Sequence, residues 1–126
     1  MRVAEVDKGF VRATADRIFE VVSVPGRYPE WWPDVRAEER GRVGFPEMGV
    51  VEVRTDRVEP GVELVVPVRG STVRGHLQWY LERFRDGTIV YGITDIETNR
   101  RWSPRRVLRH RASIHRALIA LKDKLE

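Results

Sequence analysis

The 126-residue sequence predicts a single α+β domain, in which an antiparallel meander of strands precedes one long C-terminal helix. Three observations support this fold class. Hydrophobic side chains alternate with a period of two across much of the region from Asp34 to Glu97. Short turn signals such as Glu59-Pro60-Gly61 and Asp86-Gly87 separate these segments, and connections of this length join antiparallel strands. An apolar stripe of helical period then runs from Ser103 to Leu125.

Composition and missing motifs exclude several classes of function. The chain has no cysteine, which excludes disulfides, thiolate metal sites and cysteine nucleophiles. It has no P-loop, no G-x-S-x-G and no H-E-x-x-H motif. His110 and His115 are ~140° apart on a helix, a poor arrangement for holding one metal, so we expect no metal and no other cofactor. No run approaches the ~20 apolar residues of a membrane span, and no signal region precedes the first helix, so we expect a soluble cytoplasmic protein.

The N-terminal elements follow from capping residues and breakers. Lys8–Ala13 is predicted as a short strand. Thr14 is a suitable N-cap for a helix over Ala15–Ser23, which Pro25-Gly26 ends. A second short helix is predicted for Arg27–Trp32, and Pro33 ends it.

The segment around these short helices is unusually aromatic. Tyr28, Trp31 and Trp32 lie within five residues, and large aromatic side chains bury about 150–250 Å² each. A core, a ligand or a partner must therefore cover them. We expect Phe19 and one of the two tryptophans to point inward, with the other tryptophan on the sheet edge or exposed.

The strands follow from period-two alternation between turn signals. The predicted strands are Val35–Val43, Val50–Val58, Val62–Val68, Thr72–Arg85 and Thr88–Glu97. The faces of the last strand are ambiguous, because Ile89, Tyr91 and Ile93 compete with Val90, Gly92 and Ile96. This ambiguity leaves room for a self-association surface and hence for a homodimer.

The final helix begins with Ser103 at its N-cap and Pro104 at its first position. Its apolar stripe comprises Val107, Ile114, Leu118, Leu121 and Leu125. Arg111, His115 and Lys122 fall within or beside this stripe. Either the helix faces a wet or ligand-filled cavity, or these long side chains extend outward along the sheet.

Seven arginines fall between Arg100 and Arg116. They indicate a solvated helix face, an acidic partner protein, an anionic ligand group or nucleic acid. Trp102 is the one aromatic residue among them, whereas RNA-binding segments interleave several aromatics with basic residues, so nucleic acid is unlikely.

The element order and the motif ADRIFEVVSVPGRYPEWWP over Ala15–Pro33 resemble the START-like/Bet v 1-like superfamily (SRPBCC), in its polyketide cyclase/dehydrase branch. The family has an A-x-x-(V/I)-(W/F) helix followed by a Y-P-x-W-x-P turn, and the resemblance covers almost the whole chain. It continues at Val58-Glu59-Pro60, at the Trp79 strand running into Asp86-Gly87-Thr88, and at His110, Ile114, Leu121 and Leu125 of the last helix. The resemblance implies a helix-grip fold: a curved antiparallel sheet of six or seven strands around the C-terminal helix, two short helices after the first strand, and a cavity between sheet and helix.

The same resemblance implies binding of a hydrophobic or aromatic small molecule in that cavity. The residues expected to line it are Phe19, Tyr28, Trp31, Trp32, Val51, Val53, Val66, Leu77, Trp79, Tyr91, Ile114 and Leu118.

The alternative is a polyketide cyclase or aromatase-dehydratase that acts on a carrier-bound intermediate. Thr55 and Arg57 match a hydroxyl residue and an arginine that face the pocket in such enzymes, and His115 could move protons. The arginines from Arg100 to Arg116 would dock the acidic carrier protein. Where those enzymes carry tryptophans before the hydroxyl residue, this chain has Val51 and Val53, which removes stacking walls for a large flat substrate.

Overall fold

The computed structural model describes every residue from Met1 to Glu126. Its strands are β1 (Arg2–Val11), β2 (Arg36–Ala37), β3 (Val43–Phe45), β4 (Gly49–Val53), β5 (Val58–Glu59), β6 (Glu63–Gly70), β7 (Val73–Phe84) and β8 (Gly87–Thr98). Its helices are α1 (Ala15–Val22) and α2 (Pro104–Leu125), and two 3₁₀ helices span Pro25–Glu30 and Glu39–Gly41.

All eight strands belong to one antiparallel sheet, in the order β1-β8-β7-β6-β4-β3-β2, and β5 pairs with β6 beside this path. The sheet curls into a half-barrel, and α2 packs against its inner face. A Cβ on Gly92 of β8 would lie 2.7 Å from Ile114 Cγ2, so glycine leaves room for the Ile114 side chain of α2 at this position. The predicted α+β architecture of a curved sheet around a C-terminal helix is confirmed.

The first strand is longer than predicted. It begins at Arg2 rather than Lys8, and it pairs with β8 continuously from Arg2 opposite Glu97 to Val11 opposite Thr88. Charged residues interrupt its apolar pattern, so its extent is set by pairing with β8 rather than by its own alternation.

The prediction of one continuous strand over Val35–Val43 is wrong. A 3₁₀ turn at Glu39–Gly41, with Arg40 at φ 59°, divides this region into the short strands β2 and β3. Together with β5, these short strands raise the count to eight, one more than the upper bound predicted.

The strand predicted for Val50–Val58 ends at Val53. The chain then leaves the regular ladder and rejoins β6 through Val65, whose backbone is bonded to Asp56 and Arg57. Alternation therefore does not continue beyond Val53, and the side chain of Thr55 is exposed instead of sharing the buried face of Val51.

The two faces of β8 are clearly distinguished. Val90, Gly92 and Ile96 are buried on the inner face, which packs under α2. Tyr91 lies on the outer face, where its ring is 5.7 Å from that of Tyr80. The expectation that Tyr91 lines the interior is therefore corrected.

The helix caps are as predicted. The Thr14 side chain accepts a hydrogen bond from the backbone N–H of Arg17, and the Ser103 side chain accepts one from Arg106. Pro104 occupies the first turn of α2, where its missing N–H leaves no hydrogen bond unmade. These caps fix where both α-helices begin.

Candidate ligand-binding site

Five aromatic side chains fill the space between the sheet and α2. We call this group, Tyr28, Trp31, Trp32, Phe45 and Trp79, the aromatic cluster. Neighbouring ring centroids lie 5.2–6.4 Å apart, and Tyr28, Trp32 and Trp79 are at most 2% exposed. The place where the sequence predicted a cavity is therefore occupied by the chain's own side chains.

Hydrogen bonds hold two members of the cluster in place. Trp79 Nε1–H donates to the Tyr28 hydroxyl over 2.9 Å. Trp32 Nε1–H donates to the backbone oxygen and the hydroxyl of Ser113 on α2, each over 3.1 Å. Burial raises the pKa of Tyr28 well above its ordinary value, because the phenolate would lose its hydration. Tyr28 therefore stays neutral, and its hydroxyl oxygen is available to accept from Trp79.

Trp31 differs from the other members of the cluster. Its ring stacks on Trp32 at 5.9 Å and contacts Tyr28 edge-on at 5.7 Å, while its own surface is partly exposed. Its Nε1 is buried and has no hydrogen-bond partner. Packing alone therefore holds the Trp31 side chain, and rotating that side chain out would break no hydrogen bond.

A cleft of about 310 Å³ lies beside Trp31, next to α1 and the C-terminal end of α2. We call it the Trp31 cleft; it is lined by Glu20, Val21, Val24, Arg27, Glu30, Trp31 and Lys124. Its charged side chains comprise two acids and two bases, and Arg27 and Glu30 are ion-paired with each other. The hydrogen bond from Arg27 lowers the pKa of Glu30. The mouth of the cleft therefore carries little net charge.

A second cleft, of about 770 Å³, lies at the other end of α2. Its apolar lining comes from Met1, Trp102, Val107 and Leu108, with Pro104 beside them. It does not include any member of the aromatic cluster, and it is a wide surface depression. We therefore treat it as the competing location for a ligand.

The interior also contains polar residues that sequence reasoning did not assign to the site. His110 is 1% exposed; its Nε2 lies 2.9 Å from Thr94 Oγ1, and its ring meets Trp102 edge-on at 5.7 Å. Burial lowers the pKa of His110 to about 4, because the charged ring would lose its hydration. His110 is therefore neutral at neutral pH.

His110 and Ser113 were missed because the buried arc of α2 is rotated from the predicted stripe. It includes the small residues Ser113 and Ala117, which let the helix approach the sheet. Small and polar positions carry little hydrophobic signal. The spacing of His110 from Ile114, Ala117 and Leu121 is the one pattern that could have placed it inward.

The structure does not bring together the three residues predicted as catalytic. Thr55 and Arg57 are exposed, and Thr55 Oγ1 donates to the backbone oxygen of Ser23 over 3.2 Å. His115 is also exposed, and its Nδ1 lies 2.9 Å from Asp7 Oδ2 on β1. None of these side chains contacts Trp79 by a hydrogen bond or joins the aromatic cluster.

Most of the apolar residues predicted to line the interior do lie on its inner side, unlike the three residues predicted as catalytic. Buried on the inner side are Tyr28, Trp32, Val51, Val66, Leu77, Trp79, Ile114 and Leu118. Phe19, Trp31 and Val53 are partly buried and pack against this core. Of the polar side chains near the helix stripe, Arg111 is exposed and Lys122 extends outward to the backbone oxygen of Phe10.

The arginine-rich segment divides into paired and unpaired members. Arg106 and Arg109 form ion pairs with Glu47, and Arg116 pairs with Asp34 at 2.8 Å. The remaining arginines of the segment are exposed and form no ion pair: Arg100, Arg101, Arg105 and Arg111. No helix of the structure has the length and apolar character needed to cross a membrane.

No protein-family model matches the sequence, and no curated protein matches it. Solved structures do resemble the chain. A START superfamily protein from Mycobacterium smegmatis is 15% identical with a TM-score of 0.75, and the match covers 98% of this chain and 96% of that one. The Aha1 dimer from Colwellia psychrerythraea is 16% identical with a TM-score of 0.67 over 98% and 96%.

A third structure is the di-domain ARO/CYC protein StfQ from the steffimycin biosynthetic pathway. It is 18% identical with a TM-score of 0.66, and the match covers 98% of this chain but only 50% of StfQ. This chain thus spans about half the length of that protein. At these identities the likeness concerns the fold.

Proposed function

From the premise that the chain has the START-like/Bet v 1-like fold, the helix-grip fold of the SRPBCC superfamily, we propose that it binds a hydrophobic or aromatic small molecule between the sheet and α2. Neighbours with START and ARO/CYC names support a ligand-binding or cyclase role in general. The location and the chemical class of the ligand come from the side chains of this chain.

The observation that carries the proposal is the state of Trp31. The Trp31 side chain borders both the rest of the aromatic cluster and the Trp31 cleft, and its Nε1 makes no hydrogen bond. Moving Trp32 or Trp79 would break hydrogen bonds that Trp31 does not have. The interior therefore opens most easily at Trp31, which acts as a gate.

The surroundings of the gate define the ligand. The space that Trp31 vacates is bounded by the rings of Tyr28, Trp32 and Trp79. Flat apolar molecules stack favourably on such rings. Because the charges at the mouth balance, a neutral aromatic molecule fits better than a strongly charged one. We propose a ligand of that class.

Replacing Trp31 by alanine should strengthen binding of N-phenyl-1-naphthylamine, a neutral aromatic probe whose fluorescence rises in apolar surroundings. Binding to the wild-type chain requires the gate to open, and a fractionally populated open state lowers the apparent affinity by that fraction. Trp31→Ala removes this requirement, so we expect saturable binding with about tenfold higher affinity, equivalent to about 1.4 kcal/mol.

Tyr80→Ala is the control, because it removes an aromatic ring from the outer face of β7, away from the aromatic cluster, and should leave the affinity unchanged. Cooperative urea unfolding of each variant establishes that it is folded. Weaker binding by folded Trp31→Ala would reject the gate, and failure of both wild type and Trp31→Ala to bind would reject the ligand class.

The second candidate function is a polyketide cyclase or aromatase-dehydratase that acts on a carrier-bound intermediate. The unpaired arginines of the segment from Arg100 to Arg116 favour it. Arg105 and Arg111 lie about one helical turn before and after Leu108, which is 63% exposed, and these charges could dock an acidic carrier. Arg105→Glu combined with Arg111→Glu should then weaken binding of an acidic carrier protein and reduce product redirection in a reconstituted polyketide assay, with the unfolding free energy unchanged. Unaltered carrier binding and unaltered products would reject this function.

A further inference from the structure

A row of charged side chains crosses the outer face of the sheet, away from α2. The strand register places Glu52 of β4 directly opposite Arg69 of β6, and Arg69 opposite Arg74 of β7. Arg54 follows on the segment that leaves β4. All four side chains are exposed, so their charges face solvent on one side of the sheet.

The three arginines of this row have no partner within the chain. Ion pairs elsewhere engage other arginines, but Arg54, Arg69 and Arg74 form none and donate no side-chain hydrogen bond. Like charges directly opposite on neighbouring strands destabilise a sheet, and Arg69 and Arg74 are such a pair. An anion between these two guanidinium groups would relieve that repulsion.

The same residues surround a cleft of about 360 Å³, which we call the arginine cleft. It is lined by Glu52, Val53, Arg54, Pro67, Val68, Arg69 and Arg74. It lies where β4 ends and its pairing with β6 stops, at Val53 opposite Val68. The lining contains three guanidinium groups and one carboxylate, and Val53, Pro67 and Val68 contribute apolar atoms to it.

We propose that the arginine cleft binds a small molecule that carries a phosphate group. A phosphate dianion offers three acceptor oxygens, and planar guanidinium groups bind such oxygens in pairs. Arg69 and Arg74 would hold the phosphate from two strands, with Arg54 at the side. The apolar lining would contact the organic part of the molecule. This site is separate from the Trp31 cleft, since the two share no residue.

Inorganic pyrophosphate tests the proposal by calorimetric titration of the full chain at low ionic strength. We expect one saturable site, and Arg74→Gln should weaken binding about tenfold or more, because a charge-assisted pair of hydrogen bonds is lost. Arg83→Gln is the matched control: Arg83 is exposed and forms no ion pair, and it lies near the other end of β7. It should bind pyrophosphate like the wild type.

Three results would overturn the proposal. Equal weakening by Arg83→Gln would mean that pyrophosphate responds only to the net charge of the protein. Tighter binding of citrate than of pyrophosphate would assign the cleft to carboxylates. Absence of saturable binding by wild type, with cooperative unfolding intact, would remove the site altogether. None of these results bears on the gate at Trp31, so the two proposals can fail independently.

Discussion

Replacing Trp79 by alanine is expected to lower the free energy of unfolding by about 3–5 kcal/mol, the range for large aromatic side chains in well-packed cores. Trp79 is 2% exposed, contacts three other rings and donates a hydrogen bond to Tyr28. Its removal would leave a void between β7 and α2 and deprive the Tyr28 hydroxyl of its donor. Urea unfolding followed by circular dichroism measures the loss.

Tyr80→Ala provides the comparison, since Tyr80 is the next residue on β7 and is 37% exposed on the outer face. We expect it to cost about 1 kcal/mol or less, as is usual for partly exposed positions. If the two variants lose similar free energy, the space around Trp79 is an open cavity and the rings do not fill it.

Stability is expected to fall as the pH is lowered from about 6.5 to 4, through His110. In the folded chain burial lowers the pKa of His110 to about 4, whereas its ordinary value is 6.5. Between these two values the unfolded chain binds one proton more than the folded chain, so acidification favours unfolding. The expected slope is about 1.4 kcal/mol per pH unit, or about 3 kcal/mol over the whole window.

Unfolding free energies measured between pH 4.5 and 7.5 test this linkage. His110→Gln should flatten the decrease, because the glutamine does not titrate. His115→Gln changes a histidine whose side chain is 59% exposed and should keep the decrease. The carboxylates of Glu30, Asp95 and Glu126 have lowered pKa values, so their contribution is lost only at lower pH. A decrease that persists in His110→Gln would contradict the assignment.

The sequence was sufficient for those parts of the fold that depend on local chemistry. Thr14, Ser103 and Pro104 set the starts of both α-helices. The Asp86-Gly87 signal marked the hairpin between β7 and β8, although its two turn residues are Arg85 and Asp86. Each of these features depends on residues within a few positions of one another. A short stretch of sequence therefore contains all the residues that determine the helix starts and the hairpin.

The region between Val35 and Glu59 was harder to predict because long-range pairing decides it. The turn with a positive φ at Arg40 divides one predicted strand, and the backbone bonds of Val65 redirect the chain after Val53. Neither event has a strong local signal. The exposed position of Thr55 follows from the second event, whereas the predicted polar group came from the resemblance to the cyclases, in which the matching residue faces the pocket.

Whether the interior is open could not be inferred from hydrophobic patterning. An apolar face has the same sequence pattern whether it lines a cavity or packs against other side chains. The outcome depends on partners distant in sequence, because Tyr28 of the first 3₁₀ helix meets Trp79 of β7, and Trp32 meets Ser113 of α2. The buried polar residues of α2 were missed because small and polar positions carry little hydrophobic signal.

The central claim is that the aromatic cluster closes the interior and that a ligand enters by displacing Trp31. The four tryptophans allow a direct test by fluorine NMR of protein labelled with 5-fluorotryptophan. Resonances are assigned with Trp31→Phe and Trp102→Phe, and the labelled chain is titrated with N-phenyl-1-naphthylamine. We expect the Trp31 resonance to shift most, in a saturable way, with Trp102 unchanged. A shift confined to Trp102 would place the ligand in the cleft at the other end of α2 and contradict the claim.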